Sequence, residues 1–114
     1  MKKHNIVFLD SYTLNPGDID MSALRELGEL TLYDRTAADQ VLDRCMNADI
    51  VISNKVKLSE EIITQLPKLR MIQVAATGMN NVPVDFVKSR NIHVDNVSGY
   101  STSSVAQHVF AMIL

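Results

Sequence analysis

At 114 residues the chain is long enough for one domain with a core of its own. With 46% hydrophobic and 21% charged residues and a formal net charge of −2, it has a globular composition and lacks the basic stripe of a nucleic-acid binder. No apolar run is long enough to span a bilayer, and the single cysteine, Cys45, excludes an internal disulfide and fits a reducing compartment.

The elements alternate along the chain. "MKKHNIVFLD" is basic and then apolar, but its apolar run stops at Asp10, too early for a signal peptide, so "NIVFLD" reads as a first strand. "GDIDMSALRELG" (17–28) reads as a helix, with Gly28 at its end as a left-handed cap. "ELTLYD" (29–34) is a second strand. "TAADQVLDRCMNA" (36–48) is a helix opened by Thr36 with Asp39 three residues on, and Cys45 within it is a small buried hydrophobe. "DIVISN" (49–54) is a third strand and "SEEIITQLP" (59–67) a helix capped by Ser59 and stopped near Pro67. "MIQVAA" (71–76) is a fourth strand. "PVDFVKSR" (83–90) is a short helix with Pro83 in its first turn, and "IHVDNV" (92–97) is a fifth strand. "TSSVAQHVFAMIL" (102–114) closes the chain as a helix apolar almost all round, which calls for burial on several sides.

Short apolar strands separated by helices define an α/β protein with a largely parallel sheet covered on both faces. Right-handed crossovers then give a doubly wound, flavodoxin-like layout. The last helix stops at Leu114 without cap, glycine or polar tail, which predicts that the chain is the front of something longer.

Ligands in such a fold sit beyond the carboxyl ends of the strands. That rule selects Asp10–Tyr12, Ser53–Lys55, Ala76–Asn81 and Val97–Ser101. In "AATGMNNV" the small side chains leave room, and the amides of Thr77, Gly78 and Met79 can converge on a carboxylate or phosphate. The same residues also suit a plain tight turn, which local physics favours. "VSGYSTSSVAQH" offers the same pair of readings: Gly99 permits a sharp turn, Tyr100 presents a hydroxyl, and Ser101–Ser104 open a helix whose amides attract anions. His4, His93 and His108 are scattered without metal-ligand spacing. The glycines stand at 17, 28, 78 and 99, so the chain carries no G-x-G-x-x-G dinucleotide loop. Glu60–Glu61 and Lys88–Arg90 read as solvated helix faces.

The two loops together are more specific than either alone. "LPKLRMIQVAATGMNNV", followed by "NIHVDNVSGYSTSSVAQHVFAMIL", resembles the D-isomer-specific 2-hydroxyacid dehydrogenases, and with "SNKVKLS" the resemblance is greatest to the glycerate dehydrogenase (hydroxypyruvate reductase) branch. It extends over the whole chain but only over the front of a family member. It implies a flavodoxin-like substrate domain over residues 1–100. Residues 101–114 would then begin the helix that crosses to a Rossmann domain binding NAD, with NADP also open. It further implies that the Thr77 and Gly78 amides hold the substrate carboxylate and that Asn54, beside Ser53, borders the same cleft. Tyr100 and Ser101 would line the substrate, and Val105 would reach the nicotinamide region. The family's catalytic arginine, glutamate and histidine are expected downstream of Leu114; His108 matches a histidine of the crossing helix, not the catalytic one. Two departures bear on the branch: Pro83 replaces a common aspartate, and Gln107 a common glutamate.

The expected activity is reduction of a small 2-oxo acid to a D-2-hydroxy acid by a cytoplasmic homodimer, with neither nucleic acid nor membrane as partner and the isolated segment inactive. Two rivals remain. One is a flavodoxin-like binding or phosphoacceptor receiver module, which needs an aspartate at the end of the third strand where Ser53–Asn54 stand. The other is a corepressor-like relative that keeps the fold and binds partners.

Overall fold

The computed structural model describes residues 4–13, 21–75 and 80–96. Among them, five strands form one sheet: β1 (His4–Phe8), β2 (Gly28–Leu32), β3 (Ile50–Ser53), β4 (Met71–Val74) and β5 (His93–Asn96). Every pairing is parallel and the order is β2-β1-β3-β4-β5. This is the flavodoxin-like doubly wound layout expected from the alternating elements. The predicted helix over 102–114 lies outside the described residues, as do residues 17–20 of the first predicted helix.

Period-two alternation sorts the strand side chains onto two faces. Val7, Val51, Ile72 and Val74 bury one face beneath α2 (Val41–Cys45), α3 (Glu60–Thr64) and α4 (Val84–Ser89), through Val41, Cys45, Ile63 and Val87. Ile6, Phe8, Ile50, Ile52 and Met71 bury the other beneath Leu24 of α1 (Met21–Leu27). The central strands β3 and β4 are buried along their length, whereas β2 and β5, at the edges, are half-exposed. Gln73, a buried polar residue in β4, donates from Nε2 to the Val74 and Asp95 carbonyls at 3.3 and 3.5 Å, while its Oε1 has no hydrogen-bond partner.

Several local expectations change. Gly28 does not end a helix as a left-handed cap; it is the first residue of β2, paired with His4. A Cβ at this position would fall on the His4 carbonyl oxygen, so glycine is required for close approach of two backbones. The second helix is shorter than 36–48: a 3-10 turn, Ala38–Gln40, precedes α2. The N-cap of this turn is Ala37, whose N–H is taken by Gln40 Oε1 at 2.9 Å, and the Thr36 hydroxyl donates elsewhere, to the Leu9 carbonyl. Pro83 stands one residue before α4, at its N-cap, where its carbonyl accepts Val87 N–H at 3.0 Å.

Other local signals are realised as read. Ser59 caps α3, its hydroxyl accepting Ile62 N–H at 3.3 Å. One signal not read from the sequence is Asn91, at φ 61°, which follows α4 where asparagine tolerates the left-handed region. Asn91 N–H and Ile92 N–H return to the carbonyls of Lys88 and Val87 at 3.1 and 3.2 Å, a Schellman closure, and Ile92 tucks into the core. Cys45 is fully buried, and burial pushes its thiol up to about 12. Glu60, Glu61 and Lys88–Arg90 are exposed.

Candidate active-site cleft

The strand order reverses between β1 and β3, so the fold opens a crevice at their carboxyl ends. In this chain that crevice is bridged. Asp10, two residues past β1, is 3% exposed. Its Oδ1 accepts Asn54 N–H at 2.9 Å, and its Oδ2 accepts Lys55 N–H at 2.6 Å and Val56 N–H at 3.2 Å. Burying a carboxylate is costly unless it is hydrogen-bonded, and successive backbone amides supply that compensation. The bonds run from the end of β1 to the loop after β3 and turn that loop's amides inward.

A second set of bonds joins the β3 loop to the end of the β4 loop. Asn81 Nδ2 donates to the Val56 carbonyl at 2.9 Å and to Ser53 Oγ at 3.3 Å, while the Asn81 carbonyl accepts Leu58 N–H at 2.9 Å. Ser53, fully buried, donates its hydroxyl to the Val56 carbonyl at 2.9 Å. Its backbone carbonyl accepts Ala75 N–H at 2.8 Å, which carries the β3–β4 pairing to the rim.

On the β2 side, Thr36 replaces its expected capping role with a bridge. Its hydroxyl donates to the Leu9 carbonyl at 2.7 Å and accepts from the Arg44 guanidinium at 2.8 Å. Arg44 also lies over the Tyr33 ring at 4.0 Å, and Arg35 over the Tyr12 ring at 4.4 Å. Tyr12, 64% exposed, is thereby held by a cation instead of by burial. A cleft of about 430 Å³ opens between these loops, lined by Asp10, Tyr12, Arg35, Thr36, Lys55 and Val56. With the Asp10 carboxylate facing amides, Arg35 and Lys55 give this mouth a cationic rim, which favours anionic ligands.

Of the residues selected from sequence, Asn54 is half-buried at this site. Its amide N–H is committed to Asp10. Thr77, Gly78, Tyr100, Ser101 and Val105 lie outside the described residues, as does His108. Sequence reasoning placed Asp10 among the strand-end residues without a role and missed Asn81 as a tie. The available signal was an aspartate directly after an apolar strand, facing a loop whose amides need acceptors.

The described residues do not form a cradle for a dinucleotide. Gly28, the glycine among them, has its Cβ position filled by the His4 carbonyl and lies at the amino end of its strand. Among the described residues no helix is long and apolar enough to cross a membrane, and no three His, Cys, Asp or Glu side chains gather as metal ligands.

The fold is that of a doubly wound α/β domain, and the sequence identifies the family: residues 6–111 match the D-isomer specific 2-hydroxyacid dehydrogenase, catalytic domain, and the chain belongs to that family. It is 43% identical over 112 residues to a hydroxypyruvate reductase of Blautia hydrogenotrophica, covering 96% of this chain and 35% of the relative, in keeping with the glycerate dehydrogenase and hydroxypyruvate reductase branch. It also superposes on a D-lactate dehydrogenase from Aquifex aeolicus complexed with NAD and lactic acid, with a TM-score of 0.68 and 28% identity over 96% of this chain and 32% of that one. An acyclic imino acid reductase in complex with NADPH and D-Arg gives a TM-score of 0.74 and 25% identity over 94% of this chain and 35% of that one. The chain thus spans about a third of the length of these three relatives.

Proposed function

We propose that this chain is the substrate-domain part of an oxidoreductase that reduces a small 2-oxo acid, of the hydroxypyruvate or glyoxylate type, to the D-2-hydroxy acid. NADH is the expected reductant and NADPH remains an option, both held by residues outside those described. What carries the reading is the coincidence of the family match over residues 6–111 with a cation-rimmed cleft at the carboxyl ends of the strands. The first 100 residues form the substrate domain and residues 101–114 begin the crossing to the cofactor domain. The Thr77 and Gly78 amides take the substrate carboxylate, Asn54 borders it, Tyr100 and Ser101 line the pocket, and Val105 reaches toward the nicotinamide. The catalytic acid–base groups lie beyond this segment. This segment's task is to orient the carboxylate and form one wall that excludes water. The full protein is a cytoplasmic homodimer in this reading.

The commitment of the β3-loop amides to Asp10 supports the β4 loop as the carboxylate clamp, because the neighbouring loop has fewer amides left to offer. A receiver module draws no support: Ser53 stands at the end of β3 with its hydroxyl bonded within the loop. The test is oxidation of NADH and NADPH by the full-length protein with hydroxypyruvate, glyoxylate and pyruvate. Preference for hydroxypyruvate is expected, and no oxidation with any of the three overturns the reading. The purified 114-residue segment is expected to show no turnover; a measurable rate would break that part of the proposal.

A further inference from the structure

We infer that Asp10 and Asn81 are positioning residues, linked in a relay that shapes one wall of the substrate cleft. The inference rests on the function proposed above. Asp10 is tied to the β4 loop in two steps. Its carboxylate fixes the Asn54, Lys55 and Val56 amides at 2.6–3.2 Å. The same segment presents the Val56 carbonyl and the Ser53 hydroxyl to Asn81 Nδ2 at 2.9 and 3.3 Å. Asn81 is thereby held at the end of the loop that leaves β4, and its own carbonyl takes Leu58 N–H, closing the bridge from the other side.

The chemistry of each link is directional. A carboxylate offers only acceptors, so it suits a run of amides that all donate. The Asn81 amide nitrogen offers only donors, so it suits a carbonyl and a hydroxyl oxygen that already gives its proton to Val56. Each link orients the next, and the relay runs from the end of β1 across β3 to the rim of β4. Substrate orientation depends on such supporting contacts, since displacement of a binding group by about 1 Å can cost about a hundredfold in rate. A mainly structural role would lower stability and leave substrate affinity of the folded protein unchanged.

The test uses the full-length protein with Asp10→Asn, Asn81→Ala and the double variant. Asp10→Asn replaces one acceptor oxygen with an NH2 group that faces amides which also donate, and N81A removes the second link without touching the buried carboxylate. N81A therefore keeps the test open where D10N does not fold. Each single substitution is expected to raise KM for the 2-oxo acid by about tenfold with KM for the nicotinamide cofactor unchanged. The double variant is expected to raise it no further than the stronger single, because the links act in series. A KM within about twofold of wild type in either folded single variant overturns the relay, whatever its loss of thermal stability; so does a double variant whose effects multiply. If the wild-type protein turns over no 2-oxo acid, the proposed function fails separately. The relay is then judged by calorimetric Kd for hydroxypyruvate under the same criteria, and wild-type protein that binds none overturns it.

Discussion

The two ends of the sheet solve one problem in different ways. At the amino end, Asp49 accepts Asn5 N–H at 2.8 Å, Asn5 Nδ2 donates to the Asn47 carbonyl at 3.2 Å, and Asp49 remains partly exposed. Its backbone carbonyl takes Arg70 N–H and Met71 N–H at 2.8 and 3.2 Å, so ladder and loop close mostly main chain to main chain. At the carboxyl end, Asp10 is buried, and the side chains of Asp10, Ser53, Asn81 and Thr36 add bridges to the main-chain closures. Backbone closure is tolerant of sequence, whereas a rim built from buried side chains depends on each residue's chemistry. The carboxyl end, where the proposed function places the substrate, is thus the one whose loop positions rest on particular side chains.

Asp10→Ala gives the largest expected effect. It orphans several buried donors at once, and a loss of about 3–5 kcal/mol is expected in urea unfolding. A loss below about 1 kcal/mol would mean that water replaces the carboxylate and that the two ends are not different in kind.

Gly28→Ala probes the main-chain contact near the amino end. The new methyl group meets the His4 carbonyl, a backbone atom that yields only by opening β1 from β2. A destabilisation of about 2–3 kcal/mol is expected from such overpacking, with amide exchange accelerating in β2 before β3. Uniform acceleration across the sheet would contradict the local account.

Asp49→Asn keeps an acceptor for Asn5 N–H at a partly exposed site. The expected cost is about 0.5–1 kcal/mol in the same assay. A cost equal to that of Asp10→Ala would erase the contrast.

Cys45, the last residue of α2, is buried on the packed face. Because burial raises the folded thiol from 9.0 to about 12, ionisation favours the unfolded chain between these values. Its contribution is therefore intact below about pH 9 and lost as pH rises toward 12. Maleimide labelling at about pH 8 is expected to be slow in the native protein and fast in urea. Fast native labelling would show that this face opens locally.

Among the described residues, strand and helix order, the two-faced burial and the α/β class were legible because hydrophobic period and turn residues are local properties. Ser59 as a cap and Cys45 as a core residue were legible for the same reason. Gly28 was misread because a left-handed cap and a close backbone approach ask for the same residue; only the neighbouring strand distinguishes them. Thr36 was misread because its hydroxyl had a better acceptor, the Leu9 carbonyl, 27 residues away in sequence.

The sequence by itself determined the class, the element order and the family resemblance, because these depend on residue types and spacing along one chain. It also pointed to the strand ends as the place for ligands. Tertiary structure alone decided which polar groups remain available there. Asp10 meets Asn54, Lys55 and Val56 across 44–46 residues, and Asn81 meets Val56 across 25. Such bonds depend on which strands become neighbours and on how closely their loops pack, and neither is a property of any short stretch of sequence.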